Sequence, residues 1–291
     1  MTASTSAEDV EADVEDVGRR VRTFYEGCSF PGYEDLDTPQ ALAERAGAGV
    51  YARLLDEQLP LGARILDAGC GTGQLSLFLS ILGRRVVGID LSHASLSKGQ
   101  RFKQRFALGA RFVQTDLFRP ALREEAFDYV FTNGVLHHTA DAPGGFRSLL
   151  RLLKPGGLIV VGLYNTYGRL PLRLRKLAFR LTGNRALWLD GILRAPGVGD
   201  DKKRIWFLDQ YAHPHERTFT VDDVLTWFRH AGVEYVSSIP PIRVGQRLTN
   251  AETLFTPRGE GTRIDHLVAQ LFWIVSQSRE GGFFITIGRK A

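Results

Sequence analysis

Residues 63–78 read ARILDAGCGTGQLSLF, and the rest of the chain is arranged around them. Residues 64–67 alternate and are rich in branched apolar side chains, the pattern of a short buried strand. Gly69, Gly71 and Gly73 then crowd a turn, where bare α-carbons permit unusual dihedrals and let a ligand approach the backbone. From Gln74 onward, Leu75, Leu77, Phe78, Leu79 and Leu82 suit a helix packed on a sheet. Strand, glycine turn and helix N-terminus together make a seat for a polar or anionic cofactor group. A tight βα turn with no ligand needs fewer than three alternating glycines.

Spacing separates the cofactors. A dinucleotide turn places glycines first, third and sixth; counted from Gly69, the sixth place is Gln74, which argues against a nicotinamide oxidoreductase. The pattern is instead Asp67-x-Gly69-x-Gly71-x-Gly73. It resembles motif I of the class I S-adenosylmethionine-dependent methyltransferases, whose loop backs onto the amino-acid end of S-adenosylmethionine and whose product is S-adenosylhomocysteine. The resemblance is specific over about 63–164 and weaker over 216–239 and the last strand. It implies a Rossmann-like three-layer αβα sandwich with a mainly parallel seven-stranded sheet and an antiparallel last strand.

Strand and helix patterns alternate without a break from 64 to 164, which requires a parallel sheet covered on both faces. Right-handed crossovers then bring every strand's C-terminal loop to one rim. A second strand at 85–89 ends in Asp90, placed to accept hydrogen bonds from ribose hydroxyls. Ser92 is the better N-cap for the helix expected at 92–106. A third strand at 110–115 is closed by Asp116, a fourth at 127–133 leads into Gly134 and Val135, and a wholly apolar fifth spans 158–164. The resemblance implies cofactor contacts from Asp67, Gly69, Cys70, Gly71, Gly73 and Gln74; from Asp90 and Leu91; from Thr115, Asp116 and Leu117; and from Asn133, Gly134 and Val135. Among these, Asp116 would meet the adenine amino group and Leu117 would flank the ring. His137 and His138 follow, and a histidine here more often packs or caps locally than abstracts protons.

The chain of 291 residues has a hydrophobic fraction of 44%, a charged fraction of 24% and a formal charge of +5, which permits an acidic partner without demanding one. Two cysteines, Cys28 and Cys70, give no disulfide or metal framework. The acidic start lacks the apolar run of a secretory signal, and no segment reaches the length of a membrane span, so a cytoplasmic location is the default. Residues 1–60 read as a tail and cover segment and 61–291 as the methyltransferase domain. The acidic run to Asp16 reads as a frayed tail, 17–25 as helical, and Gly27, Pro31, Gly32 and Pro39 mark an irregular stretch. That stretch either tucks Phe24, Phe30 and Tyr33 under the core or covers the cofactor. One helix is expected at 41–58.

Insertions at about 167–215 and 240–280 depart from the minimal fold. In the first, Leu170, Leu174, Leu177, Ala178 and Leu181 share one helix face, with Arg169, Arg173, Lys176 and Arg180 in a neighbouring stripe. Three readings stay open: a helical subdomain with solvated arginines, a peripheral contact with anionic lipid, and an RNA-phosphate surface. No aromatic-basic nucleic-acid module accompanies it, so nucleic acid is disfavoured. Residues 206–220, WFLDQYAHPHERTFT, read as a loop dense in titratable groups and form the acceptor side. Transfer from a sulfonium asks mainly for in-line positioning in a dry site, with a base if the acceptor must lose a proton. His213, His215 and Tyr164 are the candidate bases, in that order; a third ligand for a His213-x-His215 metal site is lacking. The expectation is methyl transfer to a small-molecule or lipid-like acceptor, with an RNA methyltransferase and a non-catalytic S-adenosylmethionine-binding protein as alternatives.

Overall fold

The computed structural model describes residues 7–28, 32–33, 36–183, 185–246, 253–276 and 281–291, with side chains from 13 onward. Phe30 and Pro31 lie outside the described residues. Seven strands form one sheet: β1 (Arg64–Ala68), β2 (Arg85–Asp90), β3 (Arg111–Gln114), β4 (Phe127–Asn133), β5 (Leu153–Tyr164), β6 (Val233–Ile239) and β7 (Phe283–Lys290). Their order is β3-β2-β1-β4-β5-β7-β6, parallel from β3 to β5, with β7 antiparallel to both its neighbours. Among the described residues this is the mainly parallel, seven-stranded Rossmann-like sheet that the glycine turn implied.

Consecutive residues of the central strands serve opposite faces, as a doubly covered sheet requires. Ile65, Phe131 and Val160 join one core with α3 (Val50–Gln58) and α4 (Gln74–Ile81). Leu66, Val130, Ile159 and Val161 join the other with α6 (Ala142–Leu152), α10 (Val221–His230) and α11 (Arg263–Ser276), where Phe146 stacks on Phe228 at 5.6 Å. The order reverses between β1 and β4. Their C-terminal ends therefore open a crevice at the switch point, the usual ligand site of such sheets.

Several sequence expectations are corrected. The acidic run is no frayed tail from Ala7 onward: α1 spans Ala7–Gly27. The helix expected at 41–58 is two, α2 (Pro39–Gly47) and α3, because Gly47 and Gly49 interrupt it. Pro39 belongs to the first turn of α2 behind the Thr38 N-cap, a place where its missing N–H costs nothing. Ser92 does cap α5 (His93–Arg105), accepting from Ser95 N. The helix before β5 starts four residues earlier than its apolar run, at Ala142 behind the Asp141 cap.

The first insertion holds α7 (Leu170–Leu181), α8 (Gly191–Arg194) and α9 (Asp200–Tyr211), so 206–211, expected as loop, is helical and only Pro214 beyond it breaks the helix. Its core is Leu172, Phe179, Ala186 and Tyr211. The leucine stripe faces out, with Leu174 59% and Leu181 78% exposed. Arg169 is not solvated but fully buried.

Candidate active site

A cavity of about 380 Å³ lies over the switch point, within the roughly 300–1,000 Å³ usual for small-molecule sites. One wall is the glycine turn. Gly69, Gly71 and Gly73 all have positive φ, at 73°, 55° and 79°. A Cβ on Gly69 would stand 2.3 Å from Val135 Cγ2, so only glycine lets the loops after β1 and β4 close on each other. Gly71 N donates to Asp90 Oδ2 at 2.8 Å and Ser92 N to Asp90 Oδ1 at 2.8 Å. Asp90 thus ties the loop after β1 to the end of β2, and it lines the cavity. Burial raises its pKa.

All of the expected cofactor residues line this cavity except Asp67, Gly73 and Gln74. Those three build the turn from behind. Asp67 Oδ2 accepts from Ser76 Oγ at 2.6 Å, and burial raises its pKa to about 6. Gly73 is the N-cap of α4 and packs on the Phe112 ring. Gln74 Nε2 donates to Gly32 O at 2.6 Å, while Tyr33 OH donates to Thr72 O at 2.8 Å, so the segment after α1 is fastened to the turn. Asp116 Oδ1 accepts from Phe118 N at 2.9 Å, the local turn bond, while the residue still lines the cavity. These features fit an adenosyl group with hydroxyls and an amino-acid tail: carboxylates at two strand ends and a bare backbone between them.

The opposite wall comes from distant parts of the chain. Val14, Gly18, Val21 and Tyr25 of α1, Tyr164 of β5, Asp209 of α9 and His138 face the same space. Glu26 holds α1 there, its two carboxylate oxygens accepting from His93 N at 2.7 Å and Ala94 N at 3.1 Å at the start of α5. Asp209 Oδ2 accepts from Gln210 Nε2 at 2.7 Å, and burial raises its pKa. The Tyr164 hydroxyl accepts from the same Gln210 Nε2 at 3.2 Å, and burial pushes its pKa to about 12.

Of the expected bases, Tyr164 lines the cavity and the two histidines stand behind the wall. His213 stacks on His138 at 3.7 Å between centroids, and its Nδ1 accepts from His215 N at 3.2 Å. Its Nε2 is buried without a hydrogen-bond partner. His215 Nε2 pairs with Thr139 O at 3.2 Å. The ring that reaches the cavity is His138. Its Nδ1 lies 2.9 Å from the His215 carbonyl, which only accepts, so Nδ1 carries the proton and Nε2 the lone pair. Burial lowers the His138 pKa to about 4 and that of His213 to about 3, so both rings are neutral at pH 7.

Arg169 locks this wall. Its Nε donates to Glu216 Oε1 at 3.0 Å and its Nη1 to Gln210 Oε1 at 2.6 Å and Gly281 O at 3.1 Å, while Nη2 also pairs with Glu216. The guanidinium stands 3.6 Å over the Tyr164 ring. One side chain therefore ties the first insertion to β5 and to the turn before β7.

Comparison with known proteins agrees with the fold. Residues 66–161 match the family model described as a methyltransferase domain. An uncharacterized protein of Synechococcus sp. is 29% identical over 198 residues, 60% of this chain and 48% of that protein. A ubiquinone biosynthesis O-methyltransferase of Methylocella silvestris is 33% identical over 122 residues, 42% of this chain and 45% of that protein. The chain thus spans about half the length of these curated relatives. The solved structure of Burkholderia thailandensis 1,6-didemethyltoxoflavin-N1-methyltransferase, with 1,6-didemethyltoxoflavin and S-adenosylhomocysteine bound, has a TM-score of 0.50 and 20% identity over 100% of this chain and 93% of that one, a likeness of fold. The family match takes in His138 but stops before Tyr164, so it does not reach the parts of the second wall supplied by α1, Tyr164 and Asp209.

Proposed function

We propose that this protein transfers the methyl group of S-adenosylmethionine to a small-molecule acceptor held between α1, Tyr164 and Asp209. The observation that carries the reading is that the glycine turn with Asp90 and the polar wall with Asp209 face one another across a single cavity. When bound, S-adenosylmethionine would supply a methyl on a sulfonium: the acceptor would bond to the methyl carbon as the carbon–sulfur bond breaks in line, with S-adenosylhomocysteine as the leaving group. Asp90 accepts from the ribose hydroxyls, Asp116 from the adenine amino group, and the Gly69–Gly71 backbone lies against the amino-acid end.

The acceptor nucleophile is one that must shed a proton, a hydroxyl or a protonated amine. Asp209 takes that proton at Oδ1, since Gln210 occupies Oδ2. Burial raises the pKa of the Asp209 carboxylate and so strengthens it as a base, whereas burial lowers His138 to about 4 and weakens it. His138 Nε2 accepts a hydrogen bond from the acceptor and orients it. Tyr25, Val14 and Val21 supply an apolar face and keep water out, as methyl transfer at near-attack distance requires. Residues 1–60 then act as a cover, with α1 as its working part.

Incubating the protein with radiolabelled S-adenosylmethionine and fractionated metabolite extracts tests the reading. Label should pass to a low-molecular-weight product, and Asp209→Asn should stop the transfer without weakening S-adenosylhomocysteine binding. Tight cofactor binding with no transfer to any fraction would favour a non-catalytic binding protein instead.

A further inference from the structure

Helix α7 carries an apolar stripe that is left largely exposed among the described residues. Leu170, Leu174, Leu177 and Leu181 recur at steps of four, three and four, one face of a helix, and Leu174 and Leu177 are 59% and 53% exposed. The opposite face, through Leu172 and Phe179, anchors the helix in its own small core. Trp188 and Ile192, beyond the end of α7, extend the exposed apolar surface of the segment, with Trp188 64% exposed. Apolar exposure on this scale marks an interaction surface.

The charges around the stripe select its partner. Between 169 and 199 the only acidic residue is Asp190, and it is buried, accepting from Tyr211 OH at 2.6 Å, Arg175 Nη1 at 3.2 Å and Trp206 Nε1 at 3.3 Å. Arg169 and Arg175 are turned inward by Glu216 and Asp190. Every charge left facing out is positive: Arg173 and Arg180, seven residues apart along one flank of the stripe, and Arg185 and Arg194 beyond it. A second copy of the chain would set this cationic flank against itself. A bilayer with anionic headgroups complements it, taking the leucines into the acyl boundary and the arginines at headgroup level. The outward stripe of α11 (Ile264, Leu267, Leu271, Phe272, Val275) shows the contrast, for no basic residue interrupts it after Arg263.

We infer that α7 docks this protein on anionic lipid bilayers, lying in the plane of the surface. No helix among the described residues is long and apolar enough to cross a membrane, so the contact is peripheral. Because Arg169 is the N-cap of α7 and its guanidinium sits on the Tyr164 ring, the docked helix is tied to the cavity wall. The inference does not depend on which acceptor is methylated.

Co-sedimentation of the full chain with vesicles of phosphatidylcholine alone, or of phosphatidylcholine with about half phosphatidylglycerol, tests it. Each basic residue near an anionic surface is worth about fivefold in affinity, so the chain should pellet with the phosphatidylglycerol vesicles at least about tenfold more tightly and release as salt rises. The double variant Leu174→Glu, Leu177→Glu should lose at least about tenfold in binding, with an unchanged thermal midpoint because both side chains are already more than half exposed. Arg180→Glu should weaken binding to the anionic vesicles only. Failure of the wild type to pellet with phosphatidylglycerol, or unchanged binding by the leucine variant, overturns the inference. So does a wild-type dimer that the leucine variant splits, which would give the stripe to a second copy.

Discussion

The two walls of the cavity are built by different means. On the cofactor side, backbone does most of the work: three left-handed glycines, two strand-end carboxylates and loops that follow β1 to β4 at the switch point. On the acceptor side, side chains do it, and they come from α1, β5 and α9, elements more than a hundred residues apart in places. The first wall is fixed by local spacing and sheet topology. The second exists only once Arg169, Glu26 and the histidine stack have pinned remote segments together. A scaffold of the first kind accepts many walls of the second, which is how one fold serves many acceptors.

Substitutions separate the two walls by effect. Asp209→Asn is expected to lower turnover by roughly 100- to 10,000-fold while S-adenosylhomocysteine affinity stays at the wild-type value; an equal loss in both would merge the walls into one binding unit. Turnover of the wild type should fall as pH drops through the Asp209 pKa, which burial raises.

The neutral histidine wall makes stability depend on acid. His138 titrates near 6.5 when unfolded and at about 4 when folded, so the unfolded chain binds the extra proton between those values. Stability is therefore full above about pH 6.5 and falls by about 3 kcal/mol as pH drops towards 4. Urea unfolding across that window checks it: His138→Asn should flatten the slope, and a slope identical to wild type would contradict the burial of a neutral ring. On the cofactor side, Asp90→Ala should weaken S-adenosylhomocysteine by about tenfold or more, since charge-assisted bonds contribute about 1.5–3 kcal/mol. Unchanged calorimetric affinity would remove Asp90 from the ribose. The smallest effect is expected at His213→Ala, which withdraws the stack behind His138: about tenfold in turnover, none in cofactor affinity. Wild-type turnover would make the stack irrelevant to the acceptor.

How much was legible beforehand follows the same division. Gly69-x-Gly71-x-Gly73, Asp90 and Asp116 are read directly, because a turn and a strand end are local events with local signatures. The Thr220 cap of α10 and its box partner Asp223 are a local signature of the same kind. The α7 stripe was legible as a helix face but not its surroundings, because a helical period reports that one face is apolar and not what covers it. Tyr25 and Asp209 were missed as site residues because nothing near them in sequence says what they face. The signal for α1 was nonetheless present, since Val14, Gly18, Val21 and Tyr25 recur at steps of four, three and four and all meet the cavity. The acidic residues between them hid that period. His138 was set aside as a local packing residue, and it does pack, yet its Nε2 is the nitrogen left with a lone pair on the cavity wall.

Isothermal titration of S-adenosylhomocysteine into the wild-type chain and into Gly71→Val tests the central claim most directly. Gly71 has φ 55° and lines the cavity, so a valine there both strains the turn and fills the space where the amino-acid end would lie. The account predicts one-to-one binding by the wild type and a loss of about 100-fold or more in the variant, with circular dichroism unchanged. A wild-type chain that gives no binding heat and no thermal stabilisation, or a valine variant that binds as well as the wild type, would contradict it.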